Sequence, residues 1–196
     1  GRAVGLDPSE HQINAAKELC KELDNVEFSQ DSATDLSFAD DTFHSVASIQ
    51  VLEYIPDVNA ALAEVQRVLK AGGRLATVSV LWDHWRFHGP DPKLNDQMHE
   101  AFKAHCSHQM LPLEMPTRLA QHGFVGAQCT PIGFMNNSLH HNSFAWLASS
   151  LLSHFAQKQG IPKADVERWR EQLDQAVEDG RFGFVSMPVL TTAIAR

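Results

Sequence analysis

The sequence predicts an α/β fold built on a doubly wound, mostly parallel sheet, with a helical insertion near the carboxyl end. Two observations carry that prediction. Three short runs, Val26 to Phe28, Val46 to Ile49 and Leu75 to Val80, have strand length and are rich in β-branched and apolar residues. A helical pattern separates the second run from the third, and strand, helix, strand in that order is the signature of parallel pairing. Ligands of such sheets bind beyond the carboxyl ends of the strands, so Asp31 after the first run and Gln50 after the second become candidate site residues.

The elements follow in order. Arg2 to Asp7 reads as a short strand ending on a carboxylate. Ser9 with Gln12 three residues later forms a capping box, and Ile13, Ala16, Leu19, Cys20 and Leu23 make the apolar stripe of the helix it starts. After the strands at Val26 and Val46, Asp57 is the expected N-cap of a helix whose stripe is Ala61, Leu62, Val65, Val68 and Leu69, with Gly72 and Gly73 as its stop. Beyond Val80 a helix is expected from Asn95 to His105, another from Met115 to His122 closed by Gly123, and a strand from Phe124 to Thr130. Two longer helical patterns, Ser143 to Gln159 with stripe Phe144, Leu147, Leu151, Leu152 and Phe155, and Lys163 to Asp179 with stripe Val166, Trp169, Leu173 and Val177, form the insertion. They fit either a lid or a homodimer surface. The last strand, Phe182 to Ala195, is expected to be interrupted at Pro188 or to lie at an edge.

Composition narrows the function. The 196 residues suffice for one domain, residues 1–196, with a real core, and a hydrophobic fraction of 43% with 20% charged residues is ordinary for a globular chain. A net charge of −8 without a Lys/Arg cluster argues against a nucleic-acid partner. Three scattered cysteines, Cys20, Cys106 and Cys129, fit a reducing, cytoplasmic setting rather than a disulfide framework. No run approaches a membrane span, so no membrane partner is expected. His84 and His88 are four apart, but Gly89-Pro90 breaks any helix there and no carboxylate completes a ligand set, so no metal is expected.

Asp7 closes its strand where a carboxylate can accept from both hydroxyls of a ribose, although an acid there also favours the helix start. Asp31 sits where a carboxylate can accept from an exocyclic amine, and Asp-Ser is equally a turn sequence. With these acids, the ordered set Asp31-Ser32-Ala33, Leu36-Ser37-Phe38, Asp41-Thr42-Phe43, Val51-Leu52-Glu53-Tyr54-Ile55-Pro56-Asp57 and Arg67-Val68-Leu69-Lys70-Ala71-Gly72-Gly73 resembles the class I S-adenosylmethionine-dependent methyltransferases, in particular the methyltransferase type 11 group. The resemblance is strong from Ala3 to Val80.

It implies a Rossmann-like sheet, S-adenosylmethionine as cofactor and methyl transfer to a small, apolar or aromatic acceptor. Asp7 would bind the ribose, Pro8 would lie beside the adenine, Asp31 would accept from the adenine amine, the Ser32 amide would reach a ring nitrogen, and Gln50 would line the methionine part. Residues 1–80 would then be the cofactor half and residues 81–196 the acceptor and cap half, with Trp82, Trp85 and Phe87 either lining a pocket or packing a cap. Tyr54, His84 and His88 are candidate bases.

The family's first strand and glycine-rich loop have no counterpart, since no G-x-G appears and the chain opens at the family's second strand. Upstream residues are therefore expected; otherwise the strands at Ala3 and Val46 must pair with each other or with another copy. Two rival readings exist. A short-chain dehydrogenase would need Tyr-x-x-x-Lys, and Tyr54 is followed at that spacing by Val58; a non-catalytic binding or assembly module would bind no cofactor.

Overall fold

A computed structural model describes residues 1–196. Strand β1 (Ala3–Asp7) pairs in parallel with β2 (Val26–Gln30), and helix α1 (Glu10–Leu19) connects them. Ser9 caps α1 by accepting from the Gln12 amide. Only Ile13 of the α1 stripe is buried; Leu19 and Leu23 face solvent.

Strand β3 (Phe43–Ile49) pairs in parallel with β4 (Leu69–Val80), with α2 (Val58–Val68) between them. Asp57 caps α2 by accepting from the Ala60 amide, and Val58, Ala61, Leu62, Val65 and Val68 are all buried. Each such Leu or Val side chain contributes about 1.5–3 kcal/mol relative to exposure. The helix stops at Val68 rather than at the glycines, because Leu69 turns extended and pairs with Phe43. Gly72 lies at φ +78 in the bulge that follows, and a β-carbon on Gly73 would stand 2.7 Å from the Lys70 carbonyl oxygen and 3.3 Å from that of His44.

The main sheet has the order β3-β4-β9-β6, where β6 is Phe124–Pro131 and β9 is Pro188–Ala195. Both pairings of β9 are antiparallel, so the sheet is parallel at its β3 end and antiparallel at the other. Helix α2 and helix α4 (Leu111–Gln121) cover one face, closing a core that includes Leu62, Leu75, Leu111, Met115, Leu119 and Ala193. Helix α4 begins one turn earlier than Met115, because Pro112 is accommodated in its first turn, where an amide has no helical partner anyway.

A second core joins α3 (Pro92–Phe102), α5 (Phe144–Lys158) and α6 (Lys163–Glu178) to a small antiparallel sheet of β5 (Arg86–His88), β8 (Gly183–Ser186) and β7 (Phe134–Asn136). The expected final strand is thus two strands in two sheets, broken immediately before Pro188. Helix α3 starts at Asp91, which accepts from the Leu94 amide, with Pro92 in the first turn. The expected α5 stripe is largely turned outward. Phe144, Leu147 and Leu151 are about half exposed, while Ala145, Ala148, Ser149, Leu152 and Ala156 face inward. Small inward residues let α5 approach α3 and α6 closely, which outweighs burial of the longer side chains. In α6, Val166, Trp169 and Leu173 are buried as expected, with Ala176 taking the place of Val177. No helix is long and apolar enough to cross a membrane.

Strands β1 and β3 do not pair with each other; β1 and β2 stand as a separate two-stranded sheet. Residues of β1 and β3 line opposite sides of a groove, which holds a cavity of about 490 Å³ at its amino-terminal end. Each of the two strands is paired along one edge only, β1 with β2 and β3 with β4.

Trp169 is fully buried, and its indole N–H donates to the Asn95 Oδ1 at 2.8 Å, which also accepts from Gln172. Trp169→Ala should cost about 3–5 kcal/mol in urea denaturation, the scale of a large core truncation. A loss below 1 kcal/mol would contradict the packing described.

Candidate functional site

At the carboxyl end of the same groove is a cavity of about 660 Å³, within the usual range for small-molecule sites. Its walls come from three strand ends: Leu6, Asp7 and Pro8 after β1; Ser32, Ala33 and Thr34 after β2; Gln50 and Val51 after β3. Tyr54 to Asp57, leading into α2, close it. Four of the five sequence-predicted residues, Asp7, Pro8, Ser32 and Gln50, therefore line one cavity.

Asp7 is half-buried, and one carboxylate oxygen accepts from the Ser9 amide at 2.8 Å. Its other oxygen accepts no hydrogen bond from the protein and is available to a ligand. Asp31 stands just outside the lining. Its Oδ2 accepts from the Ser37 amide at 2.8 Å and from the Ser37 hydroxyl, and its Oδ1 accepts from the Ser32 amide at 2.9 Å. The Ser37 hydroxyl above all, then the amides, hold its carboxyl below the usual range, so it is ionised and fastens the loop after β2.

Gln50 adopts φ +52, the left-handed region, while its amide still donates to the Val78 carbonyl at 2.7 Å. A non-glycine residue there carries roughly 1–2 kcal/mol of strain. Residues held in such conformations cluster at ligand sites.

Three supporting residues escape the sequence reading of the site. Arg67 of α2 donates to the carbonyls of Leu36 (2.8 Å) and Phe38 (2.7 Å) and to Glu64 and Asp40, while Glu64 accepts from the Leu36 amide. The Arg67 hydrogen bond, followed by the Leu36 amide, pulls the Glu64 carboxyl down to about 2. The pair thus ties the loop over residues 36–40 to α2. The i,i+3 spacing of Glu64 and Arg67 is the one sequence signal for it.

Glu53 is the third, and it is wholly buried. Its carboxylate accepts from the Ser79 hydroxyl at 2.7 Å and the Val80 amide at 3.4 Å, and its carbonyl accepts from the amides of Ser107 and His108, each at 3.0 Å. Burial raises its pKa above the ordinary 4.5. An acid inside the apolar run from Val51 to Ile55 is the only trace of this in the sequence.

Tyr54, on the cavity wall, has its phenol pushed up to about 12, chiefly by burial, and is neutral. His84 and His88 are exposed and lie off the cavity. Trp82, Trp85 and Phe87 are packed in the second core. No three His, Cys, Asp or Glu side chains cluster as a metal site would require.

Residues 1–77 match the family model described as "Methyltransferase domain". This segment, 77 of the 196 residues, is similar to the type 11 methyltransferase group. The methyltransferase segment is 41% identical over 73 residues to demethylmenaquinone methyltransferase of Staphylococcus carnosus, covering 37% of this chain and 30% of that protein. It is 40% identical over 80 residues to the enzyme of the same name from Listeria welshimeri, covering 40% and 34%. These matches span about a third of the length of the curated relatives. The whole chain superposes on the YcgJ protein of Bacillus subtilis with a TM-score of 0.65 at 19% identity, covering 100% of this chain and 82% of that one. It superposes on a putative methyltransferase of Bacillus halodurans with a TM-score of 0.63 at 17% identity, covering 99% and 83%. The Rossmann-like α/β fold shared with these structures therefore extends through residues 78–196, beyond the family match.

Two outcomes follow for the methyltransferase segment. Replacing Gln50 by Gly relieves the left-handed strain but loosens the unfolded chain by roughly 0.5–1 kcal/mol. The Gln50→Gly protein should therefore be as stable as the parent or up to about 1 kcal/mol more so in urea titrations; a clear loss would show that the side chain holds the turn. Glu53 keeps its proton in the folded state above pH 4.5, where the unfolded chain releases it, so the folded state loses stability as pH rises from 4.5 through the raised value. Glu53→Gln cannot ionise. Its stability relative to the parent should climb as pH rises above 4.5, and a constant difference would contradict the raised carboxyl.

Proposed function

We propose that the cavity binds S-adenosylmethionine and that the protein transfers its methyl group to a small apolar or aromatic acceptor, the class into which demethylmenaquinone falls. The observation that carries this reading is the convergence of Asp7, Pro8, Ser32 and Gln50, from three separate strand ends, on one cavity of suitable size. The residues fit the cofactor's chemistry. The unpartnered Asp7 oxygen suits a ribose hydroxyl, and Pro8 beside it offers an apolar face to the adenine.

Asp31 retains a lone pair on Oδ1 for the adenine amine, and the Ser32 amide reaches a ring nitrogen by exchanging its bond to Asp31. The strained Gln50 backbone turns that residue toward the methionine part. When bound, the cofactor supplies a methyl group made electrophilic by a sulfonium. The protein's own contribution is to align acceptor and methyl at near-contact distance, an effect worth up to roughly 7–11 kcal/mol. The apolar part of the wall, Leu6, Val51 and Ile55, excludes water where charge is dispersed.

Calorimetry with S-adenosylhomocysteine tests the reading. A lost hydrogen bond to a charged group costs about 1.5–3 kcal/mol, so Asp7→Ala should weaken binding by roughly 10–150-fold. Unchanged affinity would remove Asp7 from the ribose, and no binding to the parent chain would remove the cofactor.

A further inference from the structure

We propose that Ser37 is a positioning residue for the base of the bound nucleoside: it fixes the Asp31 carboxylate so that the cavity accepts a base with an exocyclic amine and refuses its oxo counterpart. This rests on the reading that the cavity holds S-adenosylmethionine.

The loop that carries Ser37 is clamped from α2. Arg67 directs every N–H of its guanidinium into an acceptor. Nε and Nη2 grip the two oxygens of Glu64, each at 2.8 Å, and Nη2 also donates to the Leu36 carbonyl at 2.8 Å. Nη1 donates to the Phe38 carbonyl at 2.7 Å and to Asp40 Oδ1 at 2.8 Å. Glu64 completes the clamp by accepting from the Leu36 amide at 2.8 Å. The residues on both sides of Ser37 are therefore fixed.

A planar trans peptide points its carbonyl and its N–H in opposite directions. With the Leu36 carbonyl turned to Arg67, the Ser37 N–H of the same peptide unit is turned away, where it donates to Asp31 Oδ2 at 2.8 Å. The Ser37 hydroxyl donates to the same oxygen. Both bonds fall on Oδ2, and Oδ1 is left to the Ser32 amide alone, at 2.9 Å.

That division decides which base fits. Ser32 lines the cavity and Asp31 stands just beyond it. When the Ser32 amide leaves Oδ1 for a ring nitrogen, the two bonds from Ser37 still hold the carboxylate, and Oδ1 is free to accept from an amine beside that nitrogen. An oxo base presents the reverse pattern, an acceptor against the carboxylate and a ring N–H against the Ser32 N–H, so it is opposed at both points. A carboxylate free to rotate would relieve the first of these clashes. The Ser37 hydroxyl also holds the Asp31 carboxyl below its ordinary range, which keeps it an acceptor.

The test uses the full chain in calorimetry with S-adenosylhomocysteine and its deaminated analogue, S-inosylhomocysteine. The parent should bind the adenosyl compound at least about 10-fold more tightly. Ser37→Ala removes the hydroxyl alone; it should shrink that preference at least about threefold and leave affinity for the inosyl compound within about twofold of the parent's. Ser37→Thr keeps the hydroxyl and should keep the preference. A merely structural role would weaken both compounds alike and leave their ratio unmoved. Equal binding of the two by the parent, an unchanged ratio in Ser37→Ala, or a lost preference in Ser37→Thr overturns the proposal while the cofactor reading stands. A parent chain that binds neither compound refutes both.

Discussion

The buried carboxyl of Glu53 is the constraint on which the site depends. Its side chain is held from the end of β4 by Ser79 and Val80, and its carbonyl is held from the other core by Ser107 and His108. One residue therefore links the turn that ends β3, the strand beside it and the segment following α3. An unpaired buried carboxyl is expensive, so the protein either satisfies it or does without. Here its satisfaction determines where Gln50 and Tyr54 stand relative to the second core. The Arg67 and Glu64 network does the equivalent task for the loop after β2, at a more exposed position and with guanidinium geometry in place of burial.

Most of the fold is legible in the sequence, and the places where it is not have physical causes. The segment from Val26 to Val80 is clear because strand period, helix period and capping agree there. The end of α2 is misjudged because glycines signal a stop, whereas tertiary pairing of Leu69 with Phe43 ends the helix sooner. The three-residue strands β5 and β7 are too short for any period to register. In α5 the expected stripe gives way to a face of small residues, since hydrophobicity marks what prefers burial and says nothing about how closely two helices must approach.

The site is legible in part for the same reason. Asp7 and Gln50 can be picked as strand-end residues and Pro8 and Ser32 from the family resemblance, and all four line one cavity. Asp31 is picked equally well, yet its carboxylate is engaged by Ser37, six residues on, through a loop conformation that no local pattern encodes. Glu53 depends on contacts between segments 26 to 55 positions apart, a range at which composition and period are silent.

The crowding at Gly73 has a reach well beyond its own turn. Phe43 is opposite Leu69, but Ser45 is opposite Arg74, three positions further than the Ala71 of an unbroken ladder. An odd offset inverts a strand. The bulge accordingly decides that Leu75, Thr77 and Ser79, rather than their neighbours, point beneath the covering helices, and it advances the strand by about 10 Å so that Ser79 arrives at the acid awaiting it. One missing methyl group thus sets the phase of an entire strand.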